Sequence, residues 1–410
     1  MTKMKDSGVK WIGQIPEDWE TKPIRHLMIE RNEKNECLQA TTMLSLSAKE
    51  GVALYSEEGH TGNRPREDLS GYKVVRVGDI VVNSMNILSG AVGLSKYEGC
   101  VSPVYYTYFA REGYDIDFLN LIFQCKQFQL NLKGLGNGIL IKESENGTLN
   151  TIRMRIPSDK LLKEEFPVCS LEKQKKIVEV LGVQCKKIDE LIAIQEKEIE
   201  KLKEYKTSVI TKAVTKGLDD SVPMKDSGID WIGQIPAHWK VCKIKNIVKI
   251  CNGREVESSE GDIPVYGSGG VFGLTNKHLY DKESVLLGRK GTIDKPIYIP
   301  DGDKIWCVDT MFYTIDKGIM NMKLFYYVMS VFDYKRYIYG TALPSMSQGI
   351  LNEIYIPLPE YKEQLHLLRI IEAECDKMEL LINKKQQKIE KLQEYKKSLI
   401  YEYVTGKKEV

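Results

Sequence analysis

The chain is written twice. Met4–Trp19 reads MKDSGVKWIGQIPEDW and Met224–Trp239 reads MKDSGIDWIGQIPAHW, an offset of 220 residues with two tryptophans in register. Further along, EIEKLKEYK at Glu198–Lys206 returns as KIEKLQEYK at Lys388–Lys396, and PVCSLEKQ at Pro167–Gln174 returns as PLPEYKEQ at Pro357–Gln364. Both of these offsets are 190, so the interior of the second copy is 30 residues shorter. A unit this long lies beyond the roughly 20–50 residues of solenoid repeats. It is a duplicated domain, and the fold must accommodate two similar bodies with different interiors.

Each copy ends in a helical pattern. Apolar residues recur at Ile177, Leu181, Cys185, Ile188, Ile192, Ile199, Leu202 and Val209, and again at Leu367, Ile371, Cys375, Met378, Ile382, Ile389, Leu392 and Leu399. Steps of three, four and seven mark a helix seam, and Gly217 and Gly406 stand where such helices should stop. One narrow stripe per helix does not make a core. The expected arrangement is an antiparallel intramolecular coiled coil of the two helices, the alternative being that each packs on its own domain.

The interiors, about residues 21–155 and 241–356, are rich in Gly, Tyr, Val and Ile in short runs. Val74–Asn86 reads as strand, Gly-Asp turn and strand, and Cys100–Ala110 as one further strand. Ser284–Ile293 and Lys295–Pro300 read as strands around a Gly-bounded turn. Asp117–Leu132 and Met322–Phe332 read as helices. The predicted class is α+β, with two tandem mixed α/β domains separated by two long helices in pseudo-twofold symmetry. The expected divisions are 1–170, 171–217, 218–360 and 361–410.

Composition narrows the function by exclusion. The 59 basic and 57 acidic residues give a net charge of only +2, which neither supports nor opposes a nucleic-acid partner. The sequence shows no membrane span and no apolar signal at its start, so a cytoplasmic protein is expected. Nine scattered cysteines without a C-x-x-C suggest reduced thiols, and the five histidines offer no zinc spacing. Walker A, H-E-x-x-H, G-x-S-x-G and G-x-G-x-x-G are all absent. Ser102-Pro103-Val104-Tyr105 approaches the motif with which amino-methyltransferases hold a flipped base, but its third residue is Val and no Phe-x-Gly-x-Gly loop for S-adenosylmethionine accompanies it. No catalytic residue and no metal site is expected.

Taken together, the duplicated WIGQIP segment, the two dissimilar interiors and the two helices after PVCSLEKQ and PLPEYKEQ resemble the specificity subunits of type I restriction–modification systems. YKVVRVGDIVVNSM and GAVGLSKYEGCVSPVYYTY look like one type of target-recognition domain; IPVYGSGGVFGLTN, VLLGRKGTI and GTALPSMSQGILNEIYIPLP look like a second. The first domain departs in ending NGILIKESENGTLNTIRMRIP, with Ser158–Phe166 reading as extra residues before its helix. The resemblance implies a non-catalytic reader of a bipartite, asymmetric site in double-stranded DNA. Its implied partners are two DNA adenine methyltransferase subunits and a motor–nuclease subunit. S-adenosylmethionine, ATP and Mg would be bound by those partners rather than by this chain.

Candidate DNA contacts follow from residue chemistry. Arg289 and Lys290 sit between Gly288 and Gly291, where glycine permits close approach and Arg can fork onto guanine. Ser268 in YGSGG offers a hydroxyl to phosphate, and Ser345 and Gln348 in PSMSQ are readers by type, Gln suiting adenine. In the first domain Asn83, Ser84 and Asn86 cluster after a strand, and Lys142 follows a Gly-rich stretch. The ordinary alternative for each is a solvated turn or a capping residue. Trp11 and Trp231, held in the same apolar frame in both copies, point to packing or subunit docking rather than to base stacking.

Overall fold

Two central strands explain much of each domain. IVVN at Ile80–Asn83 and SVLLG at Ser284–Gly288 are buried along their whole length. In the first, Ile80 and Val82 enter one apolar cluster and Val81 another. In the second, Val285 and Leu287 enter one and Leu286 another. Side chains of a strand alternate between faces, so an uninterrupted apolar run marks a strand covered on both sides.

The computed structural model describes residues 3–36, 38–48, 50–56, 68–136, 155–256, 260–337 and 344–410. They divide into two units, Met1–Ile194 with Lys388–Val410, and Gln195–Gln387. These units differ from the four-part division expected above, because each takes in part of both long helices.

In the first unit β1 (Glu20–Pro23) and β2 (Met28–Glu30) precede the central β3 (Ile80–Asn83), β4 (Val92–Leu94) and β5 (Tyr105–Ala110). Then come α1 (Ile116–Phe123), α2 (Ser158–Leu161), β6 (Glu165–Val168) and the long α3 (Leu171–Lys216). The antiparallel sheet runs β2-β5-β3-β4, and β6 pairs with β1. The second unit repeats this order. Beyond the paired Met224–Asp226 and Gln234–Pro236 of the duplicated segment, its strands are β7 (Lys240–Lys243), β8 (Val248–Asn252), β9 (Ile263–Gly267), β10 (Gly270–Thr275), β11 (Ser284–Gly288), β12 (Ile297–Ile299), β13 (Trp306–Cys307), β14 (Met311–Asp316) and, after α4 (Met322–Ser330) and α5 (Gln348–Glu353), β15 (Tyr355–Leu358). The chain then enters α6 (Tyr361–Val404). The sheet is β8-β14-β11-β12, β15 pairs with β7, and a further sheet runs β10-β9-β13.

Three sequence expectations need correction. Cys100–Ala110 is not one strand: Gly99–Val101 and β5 are separated by a turn over Ser102–Val104, where Pro103 has no N–H for a ladder. The helix expected over Asp117–Leu132 breaks after Phe123, whose carbonyl accepts the Gln129 side-chain amide instead of a helical N–H. Ser158–Phe166 are not extra residues: α2 and β6 stand 190 positions before the region of α5 and β15 and pair in the same way.

The apolar stripes of the long helices serve both proposed purposes. In the first unit Ile177 and Leu181 join the domain core around Trp19 and Phe166, together with Leu399, Tyr403 and Val404. Asp189 pairs with Lys396 at 2.6 Å. In the second unit Leu367 and Ile371 pack with Ile210 and Val214, Glu198 pairs with Lys385 at 2.6 Å and Lys206 with Glu379 at 2.5 Å. Within this unit the partner on α6 recedes as the partner on α3 advances, so the two helices run antiparallel there. Asp189–Lys396 and Lys206–Glu379 are the same contact in the two copies. Exposed ion pairs contribute about 0–1 kcal/mol each; their value here is register.

A buried glutamine fastens each domain to its helix. Gln174 donates to the Cys169 carbonyl at 2.8 Å and accepts from the Asp115 N–H at 2.8 Å. Gln364 donates to the Pro359 carbonyl at 3.0 Å and accepts from the Asn321 N–H at 2.8 Å. Asp115 and Asn321 are the N-caps of α1 and α4. One amide thus holds a helix start in each domain and the turn entering the long helix.

Candidate nucleic-acid interface

In the second unit β11 ends in the turn Gly288-Arg289-Lys290-Gly291. The backbone demands both glycines: a Cβ at Gly288 would stand 2.4 Å from the Thr292 carbonyl, and Gly291 has φ +84°. Thr310 organises the turn. Its carbonyl accepts from the N–H of Arg289 at 2.8 Å and of Lys290 at 3.3 Å, and its hydroxyl accepts from the Ser268 N–H at 3.3 Å. Lys290 and Ser345 form an isolated antiparallel bridge. The Gly291 N–H meets the Pro344 carbonyl, and the Met346 N–H meets the Arg289 carbonyl, both at 2.9 Å. Ser268, Arg289, Lys290 and Ser345, which lie far apart in sequence, therefore share one place.

Within this cluster Arg289 is half-buried, its guanidinium 5.8 Å from the Phe312 ring centroid and 3.3 Å from the Asp309 carbonyl. Lys290 is exposed, its ammonium 4.0 Å from an Asp309 carboxylate oxygen. Gln348 lies nearby on α5 but gives its amide to the Ile250 carbonyl at 2.9 Å, tying α5 to β8.

The first unit keeps one backbone bond of this place but turns differently and carries other side chains: Asn86, two residues after Ser84, has φ −119°, where Gly291, two after Arg289, has φ +84°. The Ile156 N–H meets the Ser84 carbonyl at 3.0 Å, as that of Met346 meets Arg289, so Ser84 and Arg289 occupy equivalent positions. Ser84 is buried and donates to the Val104 carbonyl at 2.7 Å, while buried Asn83 accepts from the Met85 N–H at 3.0 Å. Burial pushes the neighbouring Tyr105 phenol up from its ordinary pKa, with a hydrogen bond from Asn83 opposing. The Ser102–Tyr105 stretch is thus absorbed into the turn and strand. Asn86 and Met85 are exposed. Lys142 lies outside the described residues.

Beside this strand end a cavity of about 570 Å³ is lined by Glu30, Lys73, Tyr106, Arg155 and Ser158, among others. Glu30 accepts from the Ser158 hydroxyl at 2.5 Å, and Lys73 and Arg155 both lie over the Tyr106 ring. Arg155, Thr310 and Asp309 were not among the sequence candidates. The 190-residue offset carried the signal for Arg155, since it maps Ser345 onto it; nothing in the pattern marked Thr310 or Asp309.

Both tryptophans of interest pack within their own units. Trp11 is 7% exposed and meets Phe128 edge-on at 5.3 Å; Trp231 meets Phe332 at 5.1 Å and donates to the Tyr355 carbonyl.

Residues 236–391 match the model of the type I restriction modification DNA specificity domain. The chain is similar to type I restriction–modification specificity subunits. The chain is 25% identical over 435 residues to a Methanocaldococcus jannaschii protein described as a type I restriction enzyme MjaX specificity subunit, covering 97% of this chain and 95% of that one. It is also 25% identical over 273 residues to the type I restriction enzyme MjaVIII specificity subunit of the same organism, covering 59% and 62%. A solved chain from work on complex assembly and conformational transition of the type I R-M system aligns with a TM-score of 0.68 at 10% identity, over 95% of this chain and 98% of that one. At such identity the likeness is one of fold. Among the described residues no helix is long and apolar enough to cross a membrane.

Proposed function

We propose that this chain is a specificity subunit that reads a bipartite, asymmetric site in double-stranded DNA, one half per unit. The observation that carries the reading is the equivalence of Ser84 and Arg289. Two units share one frame, down to the backbone bond at the strand end, yet offer different side chains there. Phosphate contacts position a protein, whereas base edges are read by side chains. A duplicated frame with divergent tips therefore suits two unlike half-sites. In the second, Arg289 is placed to fork onto guanine, with Lys290 and Ser268 on phosphate and Ser345 beside them. In the first, Asn86 is the accessible polar reader, and Asn83 and Ser84 shape the backbone that presents it.

The methyl donor S-adenosylmethionine, and the ATP and Mg of restriction, belong in this reading to two adenine methyltransferase subunits and a motor–nuclease subunit in the cytoplasm. Those subunits dock on the long helices and on the duplicated segments around Trp11 and Trp231. The test is methylation of DNA by the purified chain, by its methyltransferase partner, and by both. Methylated adenines at one bipartite sequence should appear only with both; robust methylation by the chain alone overturns the reading.

A further inference from the structure

Strand β10 is an edge strand that carries GVFGLT without a charge. Val271, Phe272 and Leu274 on it are 55%, 65% and 54% exposed. Natural edge strands are ordinarily guarded by charge, proline or cover. The pairing with β9 also slips here: Val265 faces Gly273 and Tyr266 faces Val271, so Phe272 is the additional residue of a β-bulge. A bulge redirects side chains, and here two consecutive apolar residues both reach solvent. Glycine at 267 makes room for the ring, since a Cβ there would stand 3.1 Å from Phe272 Cε1.

The position of this hairpin gives its apolar tip a partner. Ser268, in the turn joining β9 to β10, lies against the basic turn: a Cβ on Gly291 would stand 2.9 Å from its hydroxyl. The same Thr310 holds Ser268 and the Arg289–Lys290 backbone. A duplex drawn onto Arg289 and Lys290 therefore meets the hairpin too. Where Arg289 enters the major groove for guanine, the uncharged surface offered beside guanine and adenine edges is the C5-methyl of thymine, and Phe is among the side chains that contact it.

We propose that Phe272, with Val271 beside it, recognises a thymine methyl group in the second half-site. This rests on the DNA-reading function proposed above and names a specificity residue within it.

The experiment uses the complex of this chain with its methyltransferase subunits and duplexes bearing its methylated site. Each thymine of the half-site assigned to the second unit is replaced in turn by deoxyuridine, which lacks only the methyl group. With the native chain one replacement should lower affinity about fourfold, the worth of a single buried methyl group. With Phe272→Ala the thymine duplex should bind at that lower level, and the replacement should have no further effect. Phe272 is mostly exposed, so the variant should keep its melting temperature and its reading of the first half-site. The proposal is overturned if no thymine responds, if the second half-site holds no thymine on either strand, or if Phe272→Ala keeps the sensitivity to deoxyuridine. Weaker assembly of Phe272→Ala with the methyltransferase, without a change in DNA selectivity, also overturns it and assigns the strand to a protein contact. Failure of the complex to bind any specific site removes the proposed function itself, and this inference with it.

Discussion

The two central strands share one backbone bond at their ends, where Ser84 and Arg289 each accept a main-chain N–H, and part from there in both turn conformation and chemistry. After β3 come Asn83 and Ser84, buried and spent on the carbonyl of Val104 and the N–H of Met85, with Met85 and Asn86 outside. After β11 come Arg289 and Lys290, held by Thr310 and braced by Asp309. The shared bond survives this divergence because it is made by main-chain groups, which both Ser84 and Arg289 supply. The difference teaches that a duplicated reader can change its charge at one tip without disturbing its fold.

The most drastic way to break the comparison is to exchange a whole interior. Replacing residues 21–155 by the corresponding domain of a relative should alter one half of the methylated sequence completely and leave the other half unchanged. Sequencing of methylated adenines reads the outcome, and a change in both halves would show that the units do not read independently.

Single tips give smaller effects. Arg289→Ala should lose about 1–3 kcal/mol of discrimination at one base pair of the second half-site, roughly five- to a hundredfold in relative binding. Asn86→Ala should act on the first half-site alone. Competition binding with single-base variants of the site measures both, and equal losses in both halves from either variant would contradict the assignment.

The smallest expected change sharpens the contrast between reading and positioning. Lys290→Ala should weaken binding a few-fold for every sequence and reduce the slope of log affinity against log salt by about 1. Asn86→Ala should leave that slope untouched. A titration from low to moderate salt with the two variants distinguishes them.

Much of this fold was legible because its signals are periodic or repeated. The three-and-four spacing from Ile177 to Val209 marked the helix α3, and the apolar runs marked β3 and β11. The miss over Cys100–Ala110 came from reading a run of β-formers across Pro103. The miss over Asp117–Leu132 arose because a distant-looking side chain, Gln129, takes a carbonyl that the helix would otherwise use. Sequence chemistry singled out Arg289, Lys290, Ser268 and Ser345 as candidates, and the fold brings them together. It could not reveal Thr310, which holds Arg289 and Lys290 through a main-chain carbonyl that every residue possesses and adds only a hydroxyl toward Ser268. Gln348, chosen for its affinity for adenine, is instead engaged with Ile250.

The antiparallel ion pairs between α3 and α6 have a genetic consequence. Asp189 with Lys396, Glu198 with Lys385 and Lys206 with Glu379 are ordered oppositely along the two helices. An insertion in α3 alone, near Gln195, displaces one set of partners from the other. An equal insertion in α6 near Gln387 restores both sets at once. Insertions and deletions in these helices should therefore be inherited in matched pairs, the second acting as an intragenic suppressor of the first. A lineage that alters the length of one helix is under selection to alter the other before it can recover a working reader.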